Sequence, residues 1–90
     1  MEEKFLQAVE AARVQAEKLG VRIRPVADMN AAHRVLSGHR ESDGFFQLAD
    51  KGRLDLTLEA MAIKKQFTAL FSDEEANNAL DRLLTNGYKF

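Results

Sequence analysis

Apolar residues in the first twenty positions recur every three or four residues, which is the spacing of one helix face. Charged and polar residues fill the remaining positions, and a glycine closes the segment. The apolar positions are Phe5, Val9, Ala12, Ala16 and Leu19. The pattern predicts an amphipathic helix that ends at Gly20. Its alanine-rich half predicts close approach of another backbone, within the monomer in preference to across a dimer, because two or three heptads are too few for a coiled coil.

The segment from Ser72 to Gly87 predicts a second helix with both ends marked. Ser72 lies three residues before Glu75, the spacing at which a hydroxyl and a carboxylate satisfy the free backbone amides of a first turn. Apolar residues again follow at three- and four-residue spacing. Asn86 and Gly87 tolerate the left-handed conformation that ends many helices, so both boundaries of this helix are expected from the sequence.

Two shorter helices are predicted in the middle of the chain. Asp28 is a suitable cap for a helix that runs to about Ser37. After a polar turn, Ser42 is the expected cap of a strongly apolar helix over residues 43–51. Helices this short are stable only through tertiary contacts, so both are expected to pack on the others.

The apolar phase changes between positions 54 and 71. Apolar residues up to Ala62 and those from Phe67 onward lie on opposite sides of a continuous helical wheel. One straight helix cannot bury both sets against one core, so we expect a break at residues 64–66. A helix that begins at Asp55 or Thr57 precedes the break, and a brief helical turn follows it.

Residues 21–26 alternate apolar and cationic side chains and include the single proline, a pattern that favours a short extended edge segment. Residues 87–90 would place Tyr88 and Phe90 on one face, and pairing of the two segments would give a minor two-stranded β element. If they do not pair, the exposed backbone of the first segment is a site for a strand from another chain. The expected fold is mostly α: a single domain over residues 1–90, a compact bundle of five or six short helices with this small ribbon.

The composition is that of an ordinary globular protein, with 46% hydrophobic and 30% charged residues in a chain of 90. The formal net charge of −1 does not indicate nucleic acid or an anionic membrane as a binding partner. The chain has no cysteine, which excludes disulfides and cysteine zinc sites and favours a reducing cytoplasm. No apolar run reaches the length of a membrane span, so we expect no membrane partner.

Candidate chemistry is sparse. Ser37, His39, Ser42 and Asp43 bring a hydroxyl, an imidazole and a carboxylate close together in sequence, but working triads are assembled across a fold and need an oxyanion hole. His33 and His39 are six residues apart, which is not the spacing that puts two metal ligands on one helix face. We therefore expect no enzyme activity, metal, cofactor or small-molecule substrate.

The charge is unevenly distributed, and residues 20–54 carry six Lys and Arg against four Asp and Glu. A basic patch in this region could contact nucleic-acid phosphates. A DNA-reading helix-turn-helix over residues 30–51 is disfavoured, because its second helix offers Phe45 and Phe46 where polar side chains should face the bases.

The sequence therefore predicts a small non-catalytic domain that acts through protein contact, as an adaptor or modulator, either with another protein or as a homodimer. The alternative is a nucleic-acid-associated regulator that uses the basic patch in residues 20–54. Aromatic and arginine side chains are the usual anchors of protein interfaces. On that basis, the candidate partner-binding residues are Arg22, Arg24, Arg34, Arg40, Phe45, Phe46 and Arg53.

Overall fold

A computed structural model of the chain describes residues 1–88 and confirms that this part is mostly helical. Within it, the regular structure consists of five α-helices and two short 3₁₀ turns. The helices are α1 (Glu2–Lys18), α2 (Met29–Ser37), α3 (Phe45–Asp50), α4 (Leu58–Ala62) and α5 (Asp73–Thr85), and the 3₁₀ turns span Leu54–Leu56 and Thr68–Leu70. The radius of gyration of 11.7 Å is near the value of about 12 Å expected for a compact chain of this length. Among residues 1–88, no helix combines the length and apolar character needed to cross a membrane.

The short helix α4 lies in the core, because all five of its residues are buried. It contacts both α1 and α5. Phe5 of α1 is fully buried, and its ring meets the rings of Phe67 and Phe71 edge to face, at centroid distances of 5.3 and 5.0 Å. A helix of five residues has no stability of its own, so α4 depends on these neighbours.

Three helix starts agree with the sequence prediction. The Asp28 carboxylate accepts a hydrogen bond from the backbone N–H of Ala31 at 2.9 Å and caps α2. The Thr57 hydroxyl caps α4 in the same way. Ser72 and Glu75 form the reciprocal capping box at the start of α5. Each of these caps lies within three residues of the amide it satisfies, which explains why the sequence reveals it.

The predicted break and the predicted end of α5 are also confirmed. Helix α4 ends at Ala62, and the chain resumes only as a 3₁₀ turn after residues 64–66. At the end of α5, Gly87 adopts a positive φ of 85°. The backbone N–H of Tyr88 then donates to the carbonyl of Leu83 at 2.9 Å. This arrangement is a Schellman motif, in which glycine provides the left-handed residue.

Ser42 is not a helix cap, and that prediction is wrong. Helix α3 begins at Phe45, directly after Gly44, and no side chain caps it. The Ser42 hydroxyl instead donates to the carboxylate of Glu59, which is completely buried in α4. A buried carboxylate requires hydrogen-bond donors. Because the Ser42 hydroxyl bonds to this carboxylate, it does not cap the helix.

The minor β element is not found within residues 1–88. Residues 21–27 run without helix, turn or bend, but they form no β ladder with any described residue. Gly87 and Tyr88, from the expected partner segment 87–90, are used to end α5, which turns their backbone toward the helix. The rest of that segment, residues 89 and 90, lies outside the described residues. Below, residues 21–27 are called the extended segment.

Candidate functional site

An apolar pocket opens between α1, the extended segment, α2 and the chain around the start of α4. Its volume is about 190 Å³. Apolar side chains line most of it: Val9, Ile23, Pro25, Val26, Ala31, Val35, Leu56 and Leu58. A cavity of about 150 Å³ holds one benzene ring, whereas drug-sized ligands occupy about 300 Å³ or more. The pocket therefore accepts one aromatic ring or one branched alkyl group.

Four polar or charged side chains complete the lining of the pocket: Arg13, Arg24, Ser42 and Asp43. Arg13 is paired with two neighbours on α1, because its guanidinium donates to Glu10 at 2.8 Å through Nε and reaches Glu17 at 3.4 Å. These contacts raise the pKa of Arg13, and the hydrogen bond from Arg13 lowers the pKa of Glu10. The positive charge of Arg13 is thus largely compensated within α1.

The extended segment is fixed against the loop before α3. The backbone N–H of Arg24 donates to Oδ2 of Asp43 at 2.8 Å. Gly44 has a positive φ of 76°, and a Cβ placed there would lie 2.8 Å from Cγ1 of Ile23 and 3.0 Å from Cγ1 of Val21. Glycine at position 44 is therefore required both by the backbone conformation and by the close approach of the extended segment.

Most backbone groups of the extended segment have no hydrogen-bond partner in the described part of the chain. Its first amide, of Val21, donates to the carbonyl of Ala16 at 2.9 Å, and the amide of Arg24 is held by Asp43. Its apolar side chains turn inward, since Val21 is buried while Ile23 is half-buried. Arg22 and Arg24 are exposed, so residues 21–24 alternate as an edge strand does, although residues 1–88 supply no neighbouring strand. The alternation ends at Pro25, which is exposed, and Val26, which is half-buried.

The structure separates the two phenylalanines that the sequence offers as partner-binding residues. Phe45 is 1% exposed and belongs to a core cluster, so its ring provides no surface. Phe46 is 56% exposed, and its ring stands edge to face on that of Phe45 at 5.6 Å. Phe46 and Arg40 line one shallow depression, and Asp43 lines both this depression and the apolar pocket. The two features are thus contiguous through Asp43.

The predicted arginines also differ in their surroundings. Arg53 donates to Asp55 at 3.1 Å, and this hydrogen bond raises the pKa of Arg53. The other four are exposed and form no ion pair within residues 1–88: Arg22, Arg24, Arg34 and Arg40. Of these, Arg24 lines the pocket and Arg40 lines the adjoining depression. The structure therefore brings Arg24, Arg40 and Phe46 around one loop, and leaves Arg53 in a local ion pair.

Sequence reasoning missed a polar network that includes Ser42 and Val35, two residues that line the pocket. The Glu59 carboxylate accepts hydrogen bonds from the backbone N–H of Ser42 at 2.8 Å and from the guanidinium of Arg82 at 3.2 Å. Arg82 also donates to the carbonyls of Val35 at 3.2 Å and Gly38 at 2.7 Å. The network ties the end of α2, the loop before α3, α4 and α5 together. The available signal was a lone carboxylate inside an apolar run, with Leu58 before it and residues 60–63 after it.

The residues that superficially resemble a catalytic trio have separate partners. The Ser37 hydroxyl donates to the carbonyl of His33 at 2.7 Å, while Ser42 and Asp43 bond to Glu59 and Arg24. His39 is exposed. Within residues 1–88, no group of three or more His, Cys, Asp or Glu side chains is arranged to hold a metal ion.

Comparison with protein-family models, with curated proteins and with solved structures gives no match to this chain. The features that bear on function are therefore the apolar pocket, the extended segment and the residues around them.

Proposed function

We propose that this chain is a non-catalytic protein-interaction domain, an adaptor or modulator. Its proposed docking face consists of the apolar pocket together with the extended segment. The main support is that the pocket and the extended segment lie side by side. An apolar pocket of about 190 Å³ opens beside a stretch of backbone whose hydrogen-bonding groups are largely unpaired.

The size and lining of the pocket favour a protein side chain as its occupant. A single ring or branched alkyl group fills it, and a few side chains inserted into such pockets supply most of the energy of many protein interfaces. Exposed Arg24 lines the pocket, and exposed Phe46 and Arg40 line the adjoining depression. Interfaces are enriched in such aromatic and arginine side chains.

A substitution that fills the pocket tests the proposal. Ala31 lines the pocket from α2, so Ala31→Leu adds three carbon atoms to the space that the partner side chain would occupy. Ala11 is exposed on α1 and does not line this pocket, so Ala11→Leu adds the same atoms elsewhere and serves as the control. Circular dichroism confirms that both variants fold before they are compared.

The measurement is affinity capture from a cell extract by the immobilised chain and both variants, with mass spectrometry of what is retained. We expect a protein that the parent chain and Ala11→Leu retain and that Ala31→Leu releases. Retention of nucleic acid alone, or equal retention of the same protein by Ala31→Leu, would overturn the proposal.

A second candidate function, a small nucleic-acid-associated regulator that uses residues 20–54, is favoured by the four exposed arginines without ion pairs, Arg22, Arg24, Arg34 and Arg40. Phosphate contacts by these side chains would weaken steeply as salt rises and would decline with each arginine removed. Binding at the apolar pocket would be less sensitive to salt and would respond to Ala31→Leu. Titration of labelled DNA and RNA over a salt series separates the two functions.

We place the interaction in the cytoplasm, because a chain of 90 residues without cysteine suits a reducing compartment. A second copy of the chain is the alternative partner. Light scattering on the parent chain and on Ala31→Leu tests it, since a homodimer formed at the docking face would dissociate when the pocket is filled.

A further inference from the structure

The proposed function leaves open what kind of partner the docking face accepts. Resting on that function, we infer that the partner presents an extended acidic peptide segment, which pairs as a strand with the extended segment and inserts one apolar side chain into the pocket.

The backbone of the extended segment offers one free edge. In an extended chain, neighbouring residues direct their N–H and C=O groups to opposite edges. Asp43 occupies the amide of Arg24, so the edge shared by Arg22 and Val26 is partly blocked. The opposite edge retains the N–H and C=O of Ile23, which have no partner in residues 1–88. The carbonyl of Pro25 and the N–H of Ala27 also have no partner there. Addition of a strand to such an edge gives main-chain hydrogen bonds, while side-chain pockets give specificity.

The charges around the docking face determine the chemistry of the peptide. Arg22 and Arg24 are exposed on the extended segment and form no ion pair within residues 1–88, and Arg40 lines the adjoining depression. Asp43 lines the pocket and accepts the amide of Arg24, and Glu41 lines the adjoining depression beside Arg40. Within this part of the chain, the docking face and its rim therefore carry three arginines without ion pairs and two carboxylates. The surplus of unpaired guanidinium groups complements Asp or Glu side chains on an arriving strand.

The same charges disfavour a second copy of this chain as the added strand. Antiparallel pairing of two extended segments would place the arginines of one copy near those of the other, because Arg22 and Arg24 are the exposed residues of both. Like charges on facing strands are destabilising. An acidic segment of another protein avoids this repulsion.

Fluorescence anisotropy with short labelled peptides tests the inference on the intact chain. The probe carries a central leucine or phenylalanine with alternating glutamates on both sides. Three matched peptides replace the central residue with alanine, replace the glutamates with lysines, or methylate alternate backbone nitrogens. We expect the probe to bind, and each change to weaken binding about tenfold or more, since a buried Leu or Phe side chain and the strand hydrogen bonds each contribute on this scale.

Variants of the chain give the complementary result. Ala31→Leu and Arg24→Glu should each weaken binding of the probe about tenfold or more. Ala11 and Lys64 are exposed and do not line the pocket. The variants Ala11→Leu and Lys64→Glu should therefore leave binding of the probe unchanged. Hydrogen exchange should show slower exchange at the amides of Ile23 and Ala27 when the probe is bound, a change that a merely structural role of the segment would not produce.

The outcomes separate this inference from the proposed function. Probe binding that ignores backbone methylation or leaves the exchange of both amides unchanged would overturn strand pairing. No binding of any acidic probe at millimolar concentration, with an extract protein still released by Ala31→Leu, would overturn the inference while the proposed function stands. Equal binding of the glutamate and lysine peptides would overturn the acidic character of the partner.

Discussion

At the scale of single residues, Glu59 decides how the loop before α3 and the end of α2 are placed. Its side chain is completely buried, and its carboxylate meets the amide and hydroxyl of Ser42 and the guanidinium of Arg82. Arg82 in turn satisfies the carbonyls of Val35 and Gly38, which are left free where α2 ends. The polar groups of this network are hydrogen-bonded to one another. Loss of one member therefore leaves the others buried without a partner, which is energetically costly.

Replacement of Arg82 should therefore be strongly destabilising. Arg82→Met leaves the buried carboxylate of Glu59 without its counter-charge, and we expect the free energy of unfolding to fall by about 3–5 kcal/mol. Urea unfolding followed by circular dichroism measures this loss. The double variant Glu59→Leu/Arg82→Met should recover part of it, because the uncompensated charge is removed as well.

A matched arginine provides the control for this prediction. Arg53 also forms an ion pair, with Asp55, but both side chains are more than 40% exposed, at 42% and 49%. Arg53→Met should change the free energy of unfolding far less than Arg82→Met does, as expected for an exposed pair. If the Arg53 and Arg82 variants lost equal free energies of unfolding, burial of the Glu59 network would not make its ion pair more important than an exposed one.

At the scale of elements, the extended segment and the loop before α3 form one unit. The bond from the amide of Arg24 to Asp43 joins them, and Ile23 packs over Gly44 so closely that a methyl group would not fit. The unit contains the unpaired backbone groups of the proposed docking face. Its stability determines whether that edge is in place before a partner arrives.

Gly44→Ala should weaken this unit more than an ordinary glycine substitution does. Gly44 and Gly52 both have positive φ values, 76° and 69°, but a Cβ at Gly52 would meet no atom within 4 Å. We expect Gly52→Ala to reduce the free energy of unfolding by about 1 kcal/mol through backbone strain alone. Gly44→Ala adds the clash with Ile23 and should cost about 1–3 kcal/mol more. Thermal and urea unfolding of both variants give the comparison, and equal losses would contradict the packing described.

The sequence predicts the elements that depend on short-range interactions. The capping residues of α2, α4 and α5 act on amides three residues away, so the sequence identified Asp28 and Ser72 and offered Thr57 as one of two candidates, with Asp55. Ser42 has equally good capping chemistry, but its hydroxyl bonds to Glu59, 17 positions away. Similarly, nothing local distinguishes Phe45, which is buried, from exposed Phe46. The candidate site was predicted only in part, because the pocket and its neighbours are brought together by such distant contacts.

At the scale of the whole molecule, α2 lines part of the pocket in the proposed docking face, and polar contacts from three residues of α5 join the two helices. Near the end of α2, Asn78 donates to the carbonyl of Leu36 at 3.0 Å beside the contacts of Arg82. Earlier in the helix, Nδ1 of His33 lies 2.7 Å from Oε2 of Glu75. Glu75 also completes the capping box of α5, so a single carboxylate supports both the start of α5 and its contact with α2.

This carboxylate makes the stability of the molecule depend on pH. Burial acts to raise the pKa of Glu75, but hydrogen bonds from the Ser72 backbone and from His33 outweigh it, and the pKa lies below its ordinary value. A folded-state pKa below the unfolded value contributes stability that is fully present above the unfolded pKa. That contribution is lost as the pH falls from about 4 through the folded-state value. Glu75→Gln should therefore lower the free energy of unfolding by about 1 kcal/mol near neutral pH, where the charged cap is lost, and by less in acid.

Glu74→Gln is the matched control, since Glu74 is an exposed carboxylate in the same first turn of α5. Urea unfolding of the parent chain and both variants from about pH 7 to about pH 3 should show the Glu75→Gln curve converging on that of the parent as the carboxylate is protonated. Glu74→Gln removes a negative charge from the same turn and so controls for the loss of charge at the helix start. A constant offset between the parent and Glu75→Gln would mean that the charge of Glu75 does not hold α2 against α5, and the α2 side of the proposed docking face would then depend on Arg82 and Asn78 alone.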